Sequence, residues 1–362
     1  MPKTLEDYLT FVVENKGSDL HLSPQSPPGI RLGGKVRRIS EVLLTAEDVE
    51  AIAWGVLDQR QRERLERDWE LDFLLDSSHC RFRGNAHYTR NGLELSLRVL
   101  PTEIPRLEEL GHRSEVVDLT TIRQGLVLIS GMTGAGKTTT LASMVQTISK
   151  IRSGVIITIE EPIEYIIGHS AALVKQREIG TCTKSYQMAL RQALRQDPDV
   201  LVISELQDKE SAAIALTAAE TGHLVIATLH TLDAPSSIDR IIDLFPGNEQ
   251  LQVRMQLSSV LQAVLCQHLL PKKDQFGQRV LATELLRTNT SVKNAIREHQ
   301  LYKIHDAMLL GGKYGMFTLE QSLRDSLAAG DIEYHDAVAL ARDPSFLSAY
   351  NPEELAESEE AH

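Results

Sequence analysis

The chain has 362 residues, of which 42% are hydrophobic and 24% are charged, and this length favours two domains with a sizeable buried core. The 38 basic and 50 acidic residues give a formal net charge of −12, which argues against a protein that coats nucleic acid or an anionic membrane. The three cysteines are far apart, no apolar run reaches the ~18 residues of a membrane span, and the first ten residues lack a signal-peptide pattern. The sequence therefore predicts a cytoplasmic α/β protein.

The first hundred residues mix helical and strand patterns, which predicts a small α+β domain. Residues 4–15 and 45–57 carry apolar side chains at helical spacing, and the second stretch opens with a sequence typical of a capped helix. Residues 93–100 alternate apolar and polar side chains, as a half-buried strand does. We therefore assign residues 1–100 to an N-terminal domain.

Two prolines within residues 101–105 can continue neither a helix nor a central strand, so they mark the main domain boundary. We predict a linker at residues 101–112 and a second domain at residues 113–350. Residues 351–362 are rich in glutamate and are predicted to form a solvated acidic tail.

The second domain alternates short apolar runs with helical segments, a pattern that indicates a mostly parallel sheet covered on both faces. The runs lie at residues 126–130, 155–159, 200–203 and 224–229. From about residue 248 to residue 343 the sequence predicts a largely helical region, which we place on the same core.

Residues 131–138, GMTGAGKT, match the phosphate-binding motif G-x-x-x-x-G-K-[ST] between an apolar strand and a helical segment. Backbone N–H groups of such a loop surround a phosphate, the lysine reaches the β- and γ-phosphates, and the next hydroxyl ligates Mg²⁺. The sequence therefore predicts a nucleoside triphosphate site. The predicted nucleotide-binding residues are Gly131, Thr133, Gly134, Ala135, Gly136, Lys137, Thr138 and Thr139, with Thr138 also a metal ligand.

Acidic and histidine side chains follow three of the predicted strands, at the sheet edge where the phosphate loop also lies. Glu160 follows one strand, Glu205 the next and His230 the one after. Two carboxylates and a histidine at a phosphate site suit phosphoryl transfer to water, with Glu205 on the metal side. Asp197 and Asp199 precede their strand, so we expect them to cap or turn the chain instead.

His223 lies at the start of the strand that ends before His230, and its position leaves two interpretations open. It is either a nucleotide-binding residue or a histidine that caps an element or packs in the core. A zinc site formed with His230 is disfavoured, because the spacing supplies no third ligand.

In these motifs the sequence resembles the type II/type IV secretion ATPase superfamily, and specifically the PilT/PilU-type pilus retraction ATPases of twitching motility. The resemblance extends over nearly the whole chain and rests on ordered motifs at familiar spacing. The matching segments are residues 17–22 with the prolines at 27 and 28, 81–85, 98–101, the acidic box at 157–164, the Walker B segment at 197–205, the histidine box at 221–231, and 295–298.

The resemblance implies a RecA-like P-loop ATPase core, a smaller PAS-like N-terminal domain and a ring hexamer in which ATP lies between the two domains. Hydrolysis around the ring is expected to move one domain against the other and to power pilus retraction. The expected partners are further copies of the chain, an inner-membrane pilus platform protein and, as an option, a paralogous retraction ATPase, but no nucleic acid. The protein is then cytoplasmic and peripheral at the inner membrane through protein partners.

By motif match, Glu160 is implied to orient the attacking water and Glu205 to lie beside Mg²⁺. His230 and His223 are implied to sense the nucleotide or to couple subunits.

Three arginines of the N-terminal domain, Arg81, Arg83 and Arg98, are implied to reach the phosphates. An arginine from another domain or subunit can stabilise the charge of phosphoryl transfer, and its planar fork suits phosphate oxygens. A solvated basic strand remains the alternative for each of the three.

The chain departs from the family pattern at Glu161, Ser204 and Gln207, where the family usually has aspartate, glycine and arginine. These changes remove no catalytic group, but they favour an alternative in which the protein is an accessory, PilU-like ATPase with weak hydrolysis that supports a partner motor. The acidic tail also favours the PilU-like role, whereas residues 295–298 favour the PilT-like one.

Two other classes fit less well. Assembly and secretion ATPases of the superfamily commonly carry a four-cysteine zinc module, which three scattered cysteines do not supply. A RecA-like nucleic-acid motor would need a basic channel or stacking aromatic side chains, and neither stands out in a chain with 5% aromatic residues.

Overall fold

The structure is a computed structural model that describes residues 4–78, 80–275 and 277–351. The chain divides into two units, Met1–Glu103 and Ile104–His362. Residues 352–362, which make up nearly all of the predicted acidic tail, lie outside the described residues.

The first unit is an antiparallel sheet, six-stranded over its described residues, with helices packed on one face. In chain order its elements are α1 (Leu5–Glu14), β1 (Asp19–Leu22), β2 (Gly29–Leu32), β3 (Lys35–Arg38), α2 (Ala46–Val56), α3 (Gln59–Asp68), β4 (Glu70–Asp76), β5 (Arg81–Thr89) and β6 (Gly92–Leu100). The strand order is β3-β2-β1-β6-β5-β4. Alternate strand side chains meet the helices in one core, where Leu20, Phe82 and Leu97 are at most 1% exposed.

Local sequence signals explain why α1 and α2 form where the sequence predicts helices. Thr4 caps α1 and Thr45 caps α2, each in a reciprocal capping box with the aspartate three residues later. The predicted strand at residues 93–100 is also confirmed, since β6 alternates buried and partly exposed side chains along most of its length.

The second unit is a mostly parallel sheet, seven-stranded over the residues that the structure describes, in the order β13-β12-β7-β11-β10-β8-β9. Its β13 strand runs antiparallel to β12. In chain order the elements are α4 (Ser114–Val117), β7 (Gly125–Ser130), α5 (Lys137–Ile151), β8 (Gly154–Glu160), β9 (Ala172–Glu178), α6 (Tyr186–Ala193), β10 (Val200–Ile203), α7 (Lys209–Glu220), β11 (Leu224–Leu229), α8 (Ala234–Asp243), α9 (Gly247–Val260), β12 (Leu261–Pro271), β13 (Arg279–Arg287), α10 (Thr290–Arg297), α11 (Lys303–Leu309), α12 (Leu319–Ala328) and α13 (Tyr334–Leu340).

Both faces of this second sheet are buried, as its continuous apolar strands predict. Along β7, Leu126 and Leu128 enter one hydrophobic cluster while Val127 and Ile129 enter another on the opposite face. Every residue of β7 is buried. This arrangement confirms an α/β fold with a central P-loop strand.

Three strands of the second unit were not predicted, and two of them change the C-terminal region. Residues 248–343 contain β12 and β13 in addition to the expected helices. The continuous apolar run of β12 cannot be distinguished from a buried helix by hydrophobic periodicity alone, so the prediction of a largely helical region missed this strand. β9 lies at the edge of the sheet, and its exposed and charged side chains weaken the strand signal.

The two aspartates before β10 have the structural role that was predicted for them. Asp197 adopts a positive φ of 55° and turns the chain. Asp199 accepts a 2.8 Å hydrogen bond at Oδ2 from the backbone N–H of Val155, which fixes the start of β8. Both lie at the sheet edge away from the phosphate loop.

Candidate nucleotide-binding site

The predicted phosphate loop joins the end of β7 to the start of α5. Gly131, Gly134 and Gly136 have φ angles of 146°, 82° and 86°, a region that favours glycine. At Gly131 a side chain is excluded for a second reason, because a Cβ atom there would lie 2.4 Å from the carbonyl oxygen of Gln267. The loop therefore curves tightly against β12.

Gln267 of β12 supports this loop and was not predicted from the sequence. Its Nε2 atom donates a 2.6 Å hydrogen bond to the carbonyl oxygen of Ala135, and its side chain is fully buried. No local motif marks such a residue, since its role depends on the pairing of β12 with β7. Long-range strand pairing was the missing information.

Lys137 extends its ammonium group into the loop. Its Nζ atom donates to the carbonyl oxygens of Gly131 at 2.6 Å and Met132 at 3.1 Å, and it lies 3.3 Å from Nδ1 of His230. Burial lowers the pKa of Lys137, while the nearby Glu205 carboxylate opposes that change. The loop thus holds a partly desolvated cation where the phosphates are expected.

Glu205 and His230 meet at the same edge of the sheet. The distance between Glu205 Oε1 and His230 Nε2 is 3.1 Å, and the other ring nitrogen of His230 faces Lys137. The residues arrive there because β7, β11 and β10 are adjacent parallel strands. The structure thus brings Glu205 and His230, which were predicted from the ends of apolar runs, together with Lys137 of the phosphate-binding motif.

Glu160 ends β8 and is 8% exposed. Its Oε1 atom accepts hydrogen bonds from the Thr158 hydroxyl and from Nε2 of Gln176, the latter at 3.0 Å. Burial raises the pKa of Glu160 despite these bonds, and the carboxylates of Glu164 and Glu178 raise it further. A carboxylate with raised pKa and fixed orientation suits a general base.

Ser204, a departure from the family pattern, is held firmly in place. Its hydroxyl lies 2.6 Å from the Tyr186 hydroxyl, and its carbonyl oxygen accepts a hydrogen bond from Thr228. Burial raises the pKa of Tyr186 to about 12, so this phenol stays protonated and can bond to the serine. The extra hydroxyl is therefore accommodated beside Glu205.

The remaining predicted loop residues differ in exposure, and three of the predicted residues, Thr133, Gly134 and Ala135, line a cavity. Thr133 and Gly134 are exposed, Thr138 is partly buried, and Thr139 Oγ1 lies 2.9 Å from the buried Tyr165 hydroxyl. The cavity has a volume of about 490 Å³, which is in the range of small-molecule sites. It is lined by Met132, Thr133, Gly134, Ala135, His268, Leu269, Leu270, Pro271, Arg279, Asp336, Ala339 and Leu340.

His223 lies at the opposite edge of the sheet from this site. Its Nδ1 atom is 2.9 Å from the carbonyl oxygen of Ala218 and 3.1 Å from the Thr221 hydroxyl, both at the end of α7. The six-residue strand β11 separates it from His230 by roughly 20 Å. Within one chain, therefore, His223 is placed as a capping residue, and its predicted contact with nucleotide stays a prediction.

The three predicted arginines lie on one face of the first sheet, because Arg83 pairs with Arg98 across β5 and β6 and Arg81 is two residues away. Each has an aspartate partner within its own unit. The pairs are Arg98 with Asp19 at 2.8 Å, Arg81 with Asp76 at 3.1 Å and Arg83 with Asp72 at 3.9 Å. Burial raises the pKa of Asp19, but hydrogen bonds from Ser18 and Arg98 outweigh it and hold the pKa below its usual value. A contact between these arginines and phosphate stays a prediction.

Comparison with known proteins gives a consistent family match. The family model described as "Type II/IV secretion system protein" matches residues 2–310. The type IV pilus retraction ATPase PilT of Pseudomonas aeruginosa is 39% identical over 94% of this chain and 98% of its own length. The type IV pilus ATPase PilU of the same organism is 38% identical over 93% of this chain and 88% of its own length.

A solved structure shows the same fold. The crystal structure of the pilus retraction motor PilT with bound ADP superposes with a TM-score of 0.89 at 41% identity, and the match covers 95% of this chain and 98% of that one. Over the part of the chain that the structure describes, no helix has both the length and the hydropathy to cross a membrane.

Proposed function

Because the chain belongs to the type II/IV secretion system protein family, we propose that it is an ATP-hydrolysing motor that forms a ring hexamer and powers retraction of a type IV pilus. The observation that carries this proposal is the near-complete match to the retraction ATPase PilT, over 94% of this chain and 98% of that relative. The site supplies the matching chemistry, since Lys137 opens α5 at the phosphate loop and Glu160 and Glu205 lie at the ends of the neighbouring strands β8 and β10.

Nucleotide binding uses the loop and the side chains at its edge. Lys137 exchanges its present carbonyl partners for β- and γ-phosphate oxygens, and the N-terminus of α5 adds its dipole. Thr138 and Glu205 fit Mg²⁺, because a hydroxyl and a carboxylate are the hard oxygen ligands that this ion takes alongside phosphate and water. The bound ion would neutralise charge on the phosphates.

Hydrolysis then depends on a positioned water. Glu160 orients that water and accepts its proton, a role that a raised pKa makes more efficient near neutral pH. His230, between Lys137 and Glu205, links the lysine to the metal-side carboxylate and is placed to respond to the γ-phosphate.

The first unit contributes positive charge in this proposal. Arg81, Arg83 and Arg98 stabilise the transferring phosphoryl group in the assembled ring. The division of the chain after Glu103 supports a linker at residues 101–112 between an N-terminal domain and an ATPase domain at residues 113–350. In the cell, the ring works in the cytoplasm at the inner membrane, bound to the pilus platform protein.

An accessory role is the second candidate. The chain resembles PilU about as closely as PilT, at 38% and 39% identity. Both relatives come from Pseudomonas aeruginosa, so one organism carries both kinds of ATPase. In that role the protein hydrolyses ATP weakly and supports the ring of a paralogous motor.

The test combines steady-state ATP turnover with native mass spectrometry of the purified protein under the same conditions. We expect a hexamer that turns over ATP and that restores pilus retraction in a retraction-deficient strain, whereas Lys137→Ala restores none. Turnover that appears only after a paralogous ATPase is added would favour the accessory role. A monomer with full turnover would contradict the ring motor.

A further inference from the structure

Three buried polar side chains form a row across the second sheet. Ser130, Cys266 and Glu284 are register partners on β7, β12 and β13, and they are at most 5% exposed. The Ser130 hydroxyl donates to Cys266 Sγ at 2.8 Å, and Glu284 lies directly across the β12–β13 pair from Cys266. Ser130 directly precedes the first glycine of the phosphate loop, so the row begins next to the candidate nucleotide site.

Glu284 completes the hydrogen bonding at the start of α8. Its Oε1 atom accepts a 2.7 Å hydrogen bond from the backbone N–H of Ala234, the first residue of that helix. Asp233 satisfies the N–H groups of Ser236 and Ser237, and Pro235 has none. The first turn therefore has every donor satisfied, and a carboxylate is favourable there because it faces the positive end of the helix dipole.

The start of α8 lies only four residues after His230. The intervening loop is fixed by further contacts from the same part of the sheet. His268 Nε2 lies 3.1 Å from the carbonyl oxygen of Leu232, and Arg342 pairs with Asp233. The neighbour of His268 on β12 is Gln267, which holds the phosphate loop, so one strand pair supports both sides of the site.

We infer that Glu284 is a positioning residue for ATP hydrolysis, whose carboxylate fixes the start of α8 and thereby places His230 against Glu205 and Lys137. This inference rests on the proposed ATPase activity. It adds a residue of β13 that influences this activity without being among the residues proposed to contact nucleotide.

The charge on Glu284 changes with pH near neutrality. Burial raises the pKa of Glu284 to about 7. Among the charged groups that face it, Asp233 raises the pKa further, while Arg342, the Ala234 N–H and the Cys266 thiol oppose the rise. Above this pKa the ionised carboxylate holds the Ala234 N–H more strongly, because a charged acceptor makes the stronger hydrogen bond.

The first experiment compares kcat and KM for ATP in the wild type and in Glu284→Gln between about pH 6 and pH 8. The amide keeps an acceptor for Ala234 but never ionises. We expect the ratio of wild-type to variant kcat to be near one at the acid end and to reach roughly five-fold at the alkaline end, the size of one weakened helix cap, with KM unchanged. A ratio that does not vary with pH overturns the inference, even if the variant is less stable.

The matched control is Asp199→Asn, which also replaces a carboxylate that accepts a backbone N–H, at 2.8 Å, but at the opposite sheet edge. Its kcat ratio to the wild type should be independent of pH. The same pH-dependent ratio in both variants would show a general effect of lost carboxylates and would overturn the inference.

The second experiment needs no turnover and so separates this inference from the proposed function. Hydrogen–deuterium exchange of peptides covering residues 230–238 is compared in nucleotide-free wild type, Glu284→Gln and Glu284→Leu. We expect faster exchange in the leucine variant, since Ala234 loses its acceptor, and an intermediate rate in the glutamine variant. Equal exchange in wild type and glutamine variant at the alkaline end overturns the inference, whereas absent wild-type turnover contradicts only the proposed ATPase.

Discussion

Glu160 has two properties that a general base needs, a fixed orientation and a raised pKa, and they predict the effect of replacing this residue. Its carboxylate is held by Thr158 and Gln176, and burial raises its pKa. Glu160→Gln keeps the shape and the hydrogen bonds but cannot accept a proton. We expect kcat to fall by about 10²-fold or more with little change in KM, as loss of a general base does, measured by steady-state ATPase assay.

Glu178→Gln is the matched control for this experiment. Glu178 is a buried carboxylate on the neighbouring strand β9 that accepts a 3.0 Å hydrogen bond from the backbone N–H of Ile163. We expect this variant to keep turnover within about three-fold of the wild type, since no proton transfer is assigned to Glu178 and its charge is the smallest of the effects on the pKa of Glu160. Equal kcat in Glu160→Gln and the wild type would contradict the assignment of the base.

His112 gives a pH-dependent stability that a second variant can isolate. Its ring is 5% exposed, its Nε2 lies 3.0 Å from the Thr140 hydroxyl of α5, and burial lowers its pKa to about 4. Between about pH 6.5 and pH 4 the unfolded chain binds a proton at this histidine and the folded chain does not. Folding stability from this group is therefore present above that range and is lost as the pH falls through it, by about 3 kcal/mol in total.

Thermal unfolding of the wild type and of His112→Gln from neutral pH down to about pH 5 tests this statement. Glutamine stays neutral and can still bond to Thr140, so its melting temperature should fall less steeply with acid. Parallel curves for the two proteins would show that His112 titrates normally in the folded chain.

The sequence placed some site residues and not others for a physical reason. Glu205 and His230 follow strand ends, and Lys137 lies in the motif that follows the end of β7. The carboxyl ends of adjacent parallel strands meet at one edge of a sheet, so local patterns were enough to predict that these residues lie together. Gln267 and Glu284 act through the pairing of β12 and β13 with β7. That pairing is a long-range contact between apolar runs, and the periodicity of a local segment does not predict it.

At the scale of elements, β12 stabilises the phosphate loop, and this contact leads to a prediction for nucleotide affinity. Gln267→Leu removes the 2.6 Å hydrogen bond to the Ala135 carbonyl and leaves that oxygen buried without its donor. We expect ADP to bind roughly ten-fold more weakly, which matches the 1–3 kcal/mol loss typical of an unsatisfied buried group, as measured by isothermal titration calorimetry.

Gln262→Leu provides the comparison on the same strand. Gln262 lies at the far end of β12, beside Gly125 at the start of β7, so its replacement should leave ADP affinity unchanged. An equal loss of ADP affinity in both variants would indicate a general loss of β12 packing instead of a specific effect of the Gln267 hydrogen bond on the loop.

At the scale of the whole molecule, the two units must cooperate if the arginines of the first act on nucleotide bound to the second. Arg98 is suited to test this, because its side chain is 69% exposed and its partner Asp19 also lies 3.5 Å from Arg31. Asp19 is buried, but it keeps Arg31 and the Ser18 hydroxyl as partners when Arg98 is removed, so its carboxylate is not left unpaired. Arg98→Ala should therefore fold normally.

We expect Arg98→Ala to lower kcat of the assembled protein by at least about ten-fold, since an arginine that stabilises phosphoryl transfer contributes even more than this in other ATP- and GTP-hydrolysing enzymes. ADP affinity of unassembled subunits should not change. Arg31→Ala is the matched control, because Arg31 pairs with the same Asp19 from the neighbouring strand but lies outside the arginine-bearing segments of the family. If both variants lose turnover equally, the loss comes from Asp19 and the sheet around it. If only Arg98→Ala loses turnover, and only in the assembled protein, the result supports the proposal that Arg98 of the first unit acts on nucleotide bound to the second.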